Sequence, residues 1–286
     1  QTYLLAITNN QIDVYSNGIH VQAVSSPWSF AQISQLCWTQ SADTLLLTHP
    51  DVPPKRLLRN AFGVFVLQDW EFFTENNVVQ QPYYKFAGST VTITPSATTG
   101  TITLNASVSV FLTGHAGTRF RIGGKEVLIT IINSPTVATA TVIETLSATT
   151  ATIDWAEAAF SSVRGYPATV AFHQDRLVIG GSRDLPNRLW FSKSGDLFNF
   201  DLGTGLDDES IEFAILSDQV NAIRGIFSGR HLQVFTSGAE WTVTGDPLTP
   251  QTLQLSRQTR VGSSTDRYIS PVTVDGATMF IARNGK

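Results

Sequence analysis

The acidic stretch DLGTGLDDES, residues 201–210, holds the densest group of side chains that could do chemistry. Asp201, Asp207, Asp208 and Glu209 offer carboxylate oxygens, the ligands that Ca²⁺ and Mg²⁺ prefer. Their spacing does not match the regular ligand spacing of an EF-hand loop. A solvated loop therefore explains the stretch better than a cation site. We expect Asp207, Asp208 and Glu209 to face solvent.

Two proline-containing turns form the second candidate. In SRDLPNRLWF, arginines flank Asp184 and Pro186 and could bind an anion. An aspartate in such a turn usually accepts hydrogen bonds from its own backbone, however. The pattern recurs in HPDVPPKRL, where Asp51 and Pro53 take the places of Asp184 and Pro186. The repetition favours a structural turn. We expect it at the corner between strands of successive blades in a β-propeller, a fold built of repeated small sheets.

The segment SKSGD is similar to the Asp-box turn of sialidase-type propellers, with Ser192, Gly195 and Asp196 in altered order. That box is itself structural, so the similarity does not imply hydrolysis, and we expect the segment to form the next hairpin. The sequence contains no nucleophile elbow, phosphate-binding loop or HExxH zinc motif. We therefore predict neither an enzyme active site nor a cofactor. The five histidines are scattered singly along the chain, and we expect each to have a structural role. They are His20, His49, His115, His173 and His231.

The charge, cysteine content and apolar runs of the sequence limit the kinds of partner that the protein can bind. A net charge of −4 with 15% charged residues leaves no basic face to neutralise phosphates, which argues against a dedicated nucleic-acid binder. The single cysteine, Cys37, excludes an internal disulfide and a CxxC metal or redox motif. No apolar run is long enough to predict a membrane span. The expected partner is a protein or a glycan.

Short strands must position these residues. In QIDVYSNGIHVQ, alternating residues surround Asn17 and Gly18, and in FRIGGKEVLI they surround Gly123 and Gly124; both pairs are typical of two-residue hairpin turns. Many further apolar runs are short and bounded by Gly, Pro, Asn or Asp. Helices are predicted only around residues 29–36 and 156–160. The pattern indicates an all-β fold with few short helices.

Residues 87–155 differ sharply from both flanks. The stretch is rich in Thr, Ser and Ala, yet its aliphatic residues alternate as in strands, which favours a folded domain over a disordered or glycosylated stalk. We predict a small β-barrel inserted between residues 1–86 and 156–286. Because the sequence starts with Gln1 and stops after an Asn-Gly hairpin signal, we expect truncation at both ends.

The flanks carry a repeat once the insert is removed. A strand, an Asp-x-Pro turn and a second strand occur in both, and further apolar strands follow at spacings of about 50 residues, as in propeller blades. The predicted fold is a partial β-propeller of short antiparallel blades interrupted by the inserted barrel. A β-sandwich is the competing architecture.

Three stretches resemble the tail nozzle, or tail tubular protein B-like, proteins of tailed bacteriophages and their prophages. They are QSADTLLLTHPDVPPKRLLR, the long run from HQDRLVIGG to RQTRVGSS, and the closing VDGATMFIARNGK. The resemblance covers both flanks, about three quarters of the chain. The insert instead resembles the small β-barrel likened to the first catalytic cysteine half-domain of ubiquitin-activating enzymes. It contains no cysteine, so the likeness concerns fold and carries no ubiquitin chemistry.

The resemblance implies a structural virion protein built around a β-propeller. Such a protein is made in the bacterial host cytoplasm and assembles in the tail as a homo-oligomeric ring, such as a hexamer, at the distal end of the tail tube. Its partners are other tail proteins, and DNA is passing cargo during ejection. In such a ring we expect Asp207, Asp208 and Glu209 to face solvent or the lumen that the DNA crosses.

Two further hypotheses stay open at this point. The first is a glycan-binding or glycan-cleaving propeller of a tail spike or adhesin, suggested by the SKSGD turn and by Trp190, Phe191 and Trp241 if they are exposed. The second makes the insert a receptor-binding or partner-docking module, since insertions are tolerated where they point away from the core.

Overall fold

Short antiparallel strands make up almost the whole protein. The structure, a computed structural model, describes residues 2–217, 221–265 and 267–285. Within these ranges the helices are one α-helical turn and one 3₁₀ turn, so the all-β prediction is confirmed. The chain divides into two compact units. We call Gln1–Glu71 together with Gly165–Lys286 the framework, and Phe72–Arg164 the inserted unit.

The first part of the framework contains two sheets. A three-stranded sheet and a helical turn come first: β1 (Leu4–Thr8), β2 (Gln11–Ser16), β3 (Ile19–Ser25) and α1 (Phe30–Ile33). Four consecutive strands then form an antiparallel sheet, here the first meander: β4 (Cys37–Ser41), β5 (Thr44–His49), β6 (Val52–Arg59) and β7 (Phe65–Asp69).

The inserted unit is built on one seven-stranded sheet. A small hairpin precedes it: β8 (Thr74–Glu75) and β9 (Val78–Val79). The sheet strands are β10 (Tyr83–Tyr84), β11 (Ile93–Pro95), β12 (Thr101–Ala106), β13 (Arg119–Ile122), β14 (Lys125–Ser134), β15 (Val137–Val142) and β16 (Trp155–Ala158), with a 3₁₀ turn at Thr113–His115. Their lateral order is β10-β16-β13-β14-β15-β12-β11. The unit has its own core, which includes Phe120 and Trp155, so the Thr-rich stretch folds into strands. The barrel stays a prediction.

The second part of the framework repeats the four-stranded arrangement twice. The second meander comprises β17 (Thr169–His173), β18 (Arg176–Gly180), β19 (Arg188–Phe191) and β20 (Ile211–Ala214). The third meander comprises β21 (Ile223–Ser228), β22 (Leu232–Thr236), β23 (Glu240–Thr244) and β24 (Gln254–Thr259). A final hairpin follows, of β25 (Val272–Val274) and β26 (Ala277–Met279).

The first strands of the three meanders lie side by side. β17 packs against both β4 and β21. The buried hydroxyl of Thr169, in β17, lies 3.3 Å from Cys37 Sγ in β4 and accepts a hydrogen bond from the Ile226 amide in β21 at 3.2 Å. Adjacent first strands are expected of successive propeller blades. The propeller stays a prediction, which this packing supports.

Turn chemistry fixes the predicted hairpins. Asn17 and Gly18 join β2 to β3 with φ of 51° and 79°, and Gly123 and Gly124 join β13 to β14 with φ of 57° and 74°. Positive φ at both central residues is the requirement of a type I′ turn, whose twist matches that of the strands. Both predicted hairpins are confirmed.

One of the two predicted helices is present. Ser29 caps α1, since its backbone amide and hydroxyl both lie 3.0 Å from the side-chain oxygen of Gln32, as in a capping box. The helix predicted at residues 156–160 is wrong, because β16 occupies most of that range and pairs with both β10 and β13. Trp155 and Glu157 are buried in β16, so tertiary packing overrides the helix propensity of the local sequence.

Candidate functional site

A buried arginine organises the acidic loop of residues 201–210. Arg176, in β18, is 2% exposed, and its guanidinium donates hydrogen bonds to the carbonyls of Ser192 (2.7 Å), Asp207 (2.7 Å) and Glu209 (2.6 Å). Burial lowers the pKa of Arg176, because the charged form loses hydration. The arginine binds the main chain of the loop, and the side chains of Asp207 and Asp208 stay exposed, as expected.

The carboxylates of this loop do not converge. Glu209 is half-buried, and its carboxylate accepts hydrogen bonds from the amides of Leu206 (2.8 Å) and Thr204 (2.7 Å). These bonds, that of Leu206 first, lower the pKa of Glu209. Asp201 pairs with Lys193 at 3.3 Å. Glu209 thus binds the main chain of its own loop while staying partly exposed, and no three His, Cys, Asp or Glu side chains are placed to hold a metal ion anywhere in the described ranges.

The SKSGD segment starts the long β19–β20 connection, and Lys193 and Asp196 pair there in an antiparallel bridge across a two-residue turn. Gly195 has φ of 74°, a conformation that glycine adopts without steric cost, and its amide donates to the carbonyl of Asp175 at 2.9 Å. The carboxylate of Asp196 accepts a hydrogen bond from Asn199 at 2.9 Å. Ser192 is buried, and its hydroxyl accepts a hydrogen bond from a β18 amide at 2.9 Å. These contacts stabilise the turn itself.

The two Asp-x-Pro turns occupy equivalent places in two meanders. Asp51 lies in the β5–β6 turn with Pro53 in β6, and Asp184 and Pro186 lie in the β18–β19 connection. Each turn joins the second and third strands of one sheet, which are paired neighbours. The expectation that these turns mark the corner between successive blades is therefore wrong. The Asp184 carboxylate accepts a hydrogen bond from Arg183 at 3.1 Å.

A single glycine lies between the two turns. At Gly165, φ is +84°, and a Cβ built there would lie 2.9 Å from the Cβ of Arg183 and 3.0 Å from the carbonyl oxygen of Pro50. Real Cβ atoms do not approach that closely, and the oxygen belongs to the backbone. The approach of the two turns therefore requires glycine at this position.

The chain leaves and re-enters the framework beside one hairpin. The amide of Trp70, at the end of the first meander, donates to the carbonyl of Pro54 at 3.1 Å. The amide of Tyr166 donates to the carbonyl of Pro50 at 2.8 Å. Pro50 lies in the β5–β6 turn and Pro54 in β6, so this one hairpin binds both framework ends of the insertion. The sequence repeat gave no signal of this role, because neither partner residue lies within the repeat.

Replacing Gly165 by alanine should destabilise the framework by about 3 kcal/mol, because the substitution adds a steric clash to an unfavourable positive φ. Urea denaturation monitored by tryptophan fluorescence measures this loss. Gly195→Ala is the matched control: its φ is also positive, but nothing lies within 4 Å of a Cβ there. The control should cost about 1 kcal/mol. Equal losses in the two variants would show that the close approach is absent.

The aromatic residues that suggested glycan binding are buried. Trp190 is 2% exposed, Phe191 is fully buried and Trp241 is 8% exposed. Phe191 and Trp241 belong to one core shared by the second and third meanders. They cannot stack on a sugar, so this reason for the glycan hypothesis is wrong.

Two fully buried carboxylates lie in the inserted unit. Glu126, in β14, accepts hydrogen bonds from the hydroxyl of Tyr83 (2.5 Å) and the amide of Val79 (3.1 Å), and it pairs with Arg119. Burial first, and then the charge of Glu126, raises the pKa of Tyr83, so the phenol stays a donor. Every contact of this carboxylate reaches a neighbouring strand or the segment before the Thr-rich stretch.

Glu157, in β16, forms the second buried site. Arg164 donates two hydrogen bonds to its carboxylate, at 2.7 and 3.2 Å. His115 Nδ1 accepts a hydrogen bond from the Leu112 amide at 3.2 Å, which leaves the proton on Nε2, 2.9 Å from Glu157. His115 and Glu157 are both 0% exposed. A His-Glu pair of this kind could act as a general base, but here a substrate cannot reach it.

The other histidines differ in exposure. His20 lies on the outer face of the first sheet, 3.0 Å from Asp13. His173 is buried, with Nδ1 2.9 Å from the hydroxyl of Ser228. His49 is buried, and its Nδ1 accepts a hydrogen bond from the Asp51 amide at 3.1 Å. Each contact is one that a structural histidine makes.

The framework should lose stability as the pH falls below about 6.5, the ordinary histidine pKa. Burial lowers the pKa of His49 and of His173, so the unfolded chain binds more protons than the fold in this range. Stability is therefore fully present above the unfolded pKa and lost as the pH falls through the lowered folded values. Urea denaturation between about pH 5 and pH 8 measures the slope. His173→Gln should flatten it, and the exposed-site control His20→Gln should not; an unchanged slope in His173→Gln would contradict the assignment.

Sequence reasoning missed one cleft in the framework. It lies between the start of the chain and the first meander and is lined by Tyr3, Asp43, Arg59 and Phe65, among others. Its volume is about 320 Å³. Its charged and aromatic residues are far apart in the sequence, so no local pattern could have indicated it.

No family model matches this chain, and no curated protein matches it. The described part of the chain contains no helix of the length and apolar character that crossing a bilayer requires.

Proposed function

We propose that the chain is a structural virion protein of a tailed bacteriophage or prophage, part of the nozzle ring at the distal end of the tail tube. The observation that carries the proposal is the series of four-stranded meanders with adjacent first strands, interrupted by an inserted compact unit. This is the arrangement implied by the sequence resemblance to tail nozzle proteins.

The placement of charged groups supports a scaffold. Arg176, Glu126 and Glu157 are buried and bind neighbouring strands or loops. The exposed Asp207 and Asp208 would suit a conduit for DNA, because like charge repels phosphate and lets a duplex slide. In this proposal the protein acts through its surfaces, as a homo-oligomeric ring that docks other tail proteins and lets DNA pass.

Deleting the gene from the phage or prophage that carries it tests the proposal. We expect particles with filled heads whose tails lack the distal tip and do not eject DNA, as seen by cryo-electron microscopy and an ejection assay. A plasmid copy should restore the tip, and the Gly195→Ala copy should restore it too, whereas the destabilised Gly165→Ala copy should restore it poorly. Complete tails with normal ejection in the deletion strain would refute the proposal.

A further inference from the structure

An arginine with unused hydrogen-bond donors lines the framework cleft. Arg59, at the end of β6, is half-buried, and its Nε is shielded from solvent without a hydrogen-bond partner. Among the described residues, no carboxylate or carbonyl oxygen pairs with its guanidinium. A partly desolvated guanidinium without an acceptor is costly, and an anionic ligand would relieve that cost.

The guanidinium is held in place without being neutralised. It lies over the ring of Tyr3, 5.3 Å from the ring centroid. On another side, a Cβ built at Gly63 would lie 3.1 Å from Arg59 Nη2, so the β6–β7 turn closes against it. The Asn60 side chain fixes that turn by accepting a hydrogen bond from the Val64 amide at 3.0 Å. Little conformational entropy therefore remains to be lost when a ligand binds.

The rest of the cleft offers an aromatic surface and polar acceptors. Tyr3 and Phe65 form an edge-to-face pair with centroids 5.0 Å apart. Gln40 and Asp43 also line the cleft, and both are exposed. Arg59 and Asp43 form no ion pair with each other in the described structure, so both remain able to contact a ligand.

We propose that this cleft binds the carboxylate of an acidic saccharide residue of the hexuronic acid class. The carboxylate would accept paired hydrogen bonds from Arg59, the geometry that a guanidinium favours. The C–H face of the sugar ring would pack on Tyr3 and Phe65, and its hydroxyl groups would donate to Asp43 and Gln40. A volume of about 320 Å³ suits one sugar residue rather than a long segment of polymer. Binding in this cleft does not depend on the tail function, and it involves none of the buried aromatic residues Trp190, Phe191 and Trp241.

Titration of the full chain with sodium D-glucuronate, followed by calorimetry and NMR, tests the site. We expect weak binding, with a dissociation constant of about 1 mM, and at least about tenfold weaker binding of D-glucose and of acetate. Arg59→Gln should weaken glucuronate binding at least about tenfold, and Arg59→Lys should weaken it less. Arg230→Gln is the matched control, since it removes the same charge from an exposed turn outside the cleft.

Every other outcome overturns the proposal. Acetate binding as tightly as glucuronate would show that the sugar ring makes no contribution, and equal binding of glucose would show that the carboxylate makes none. Unchanged affinity in Arg59→Gln, or no binding by the native chain, would exclude the site. Thermal unfolding of each variant confirms that a loss of binding does not reflect a loss of the fold.

Discussion

A fragment of residues 72–164 is expected to fold alone, whereas a fragment of residues 87–155 is expected to stay unfolded. The shorter fragment corresponds to the compositional boundary of the Thr-rich stretch. This fragment lacks all of β16 except Trp155, and β16 lies between β10 and β13 in the sheet. It also removes Val79 and Tyr83, two of the groups that bind the fully buried carboxylate of Glu126. A buried carboxylate that loses its partners costs about 3–5 kcal/mol, which is comparable to the whole stability of a small domain.

Amide chemical-shift dispersion and cooperative thermal unfolding measure this difference. The longer fragment should show both, and the shorter fragment should show neither. Tyr83→Phe in the longer fragment is a graded control: it removes only the phenol hydroxyl, so the fragment should still fold and lose about 1–3 kcal/mol. A cooperative transition in the 87–155 fragment would mean that the buried carboxylate and β16 are dispensable.

Deletion of the Thr-rich stretch from the full chain should also disrupt folding. Removing residues 87–155 from the chain would leave Val79 and Tyr83 without the carboxylate of Glu126, and it would leave Glu157 without His115. Loss of assembly in such a deletion would therefore report misfolding rather than a role of the insert. Deleting residues 72–164, which keeps Trp70 and Tyr166 bound to the β5–β6 hairpin, is the informative test of the docking hypothesis.

Replacing Arg176 by methionine is expected to destabilise the framework by about 4 kcal/mol. Methionine fills a similar volume but leaves the carbonyls of Ser192, Asp207 and Glu209 without their donor, and a carbonyl that is left unsatisfied in a buried site, as at Ser192, costs about 1–3 kcal/mol. Lysine at this position keeps the charge but cannot reproduce the planar fork of donors, so Arg176→Lys should lose about half as much.

Urea denaturation measures the global loss, and limited proteolysis measures the local one. In Arg176→Met the loop of residues 201–210 should be cleaved far faster than in the native chain, since its main chain is no longer bound. Arg230→Met, in an exposed turn, should change stability by less than about 0.5 kcal/mol and leave the loop protected. Unchanged proteolysis in Arg176→Met would show that the loop is held by its internal contacts, chiefly those of Glu209.

Local features of the fold were predictable from the sequence, and long-range ones were not. The hairpins at residues 11–22 and 120–129 follow from alternation and from turn pairs that tolerate positive φ. The helix at residues 156–160 was wrong because that segment is inserted between two strands that are remote in sequence. Local propensity cannot report such pairing.

The boundaries of the inserted unit were missed for a related reason. Residues 72–86 share the aromatic-rich composition of the framework, so composition assigned them there. Their contacts with Glu126 and with Arg121, whose guanidinium lies 4.2 Å from the Tyr83 ring centroid, place them in the inserted unit. The candidate cleft was missed likewise, because Tyr3 and Arg59 meet only in the folded chain.

The β5–β6 hairpin affects how a gene for such a protein can evolve. Since the hairpin binds the chain at both Trp70 and Tyr166, the residues between these two positions form a loop with fixed ends. Doubling the length of a flexible loop costs only about 0.6 kcal/mol. Recombination at Trp70 and Tyr166 could therefore replace one complete insert by another in a single event. The residues of the framework core would stay unchanged.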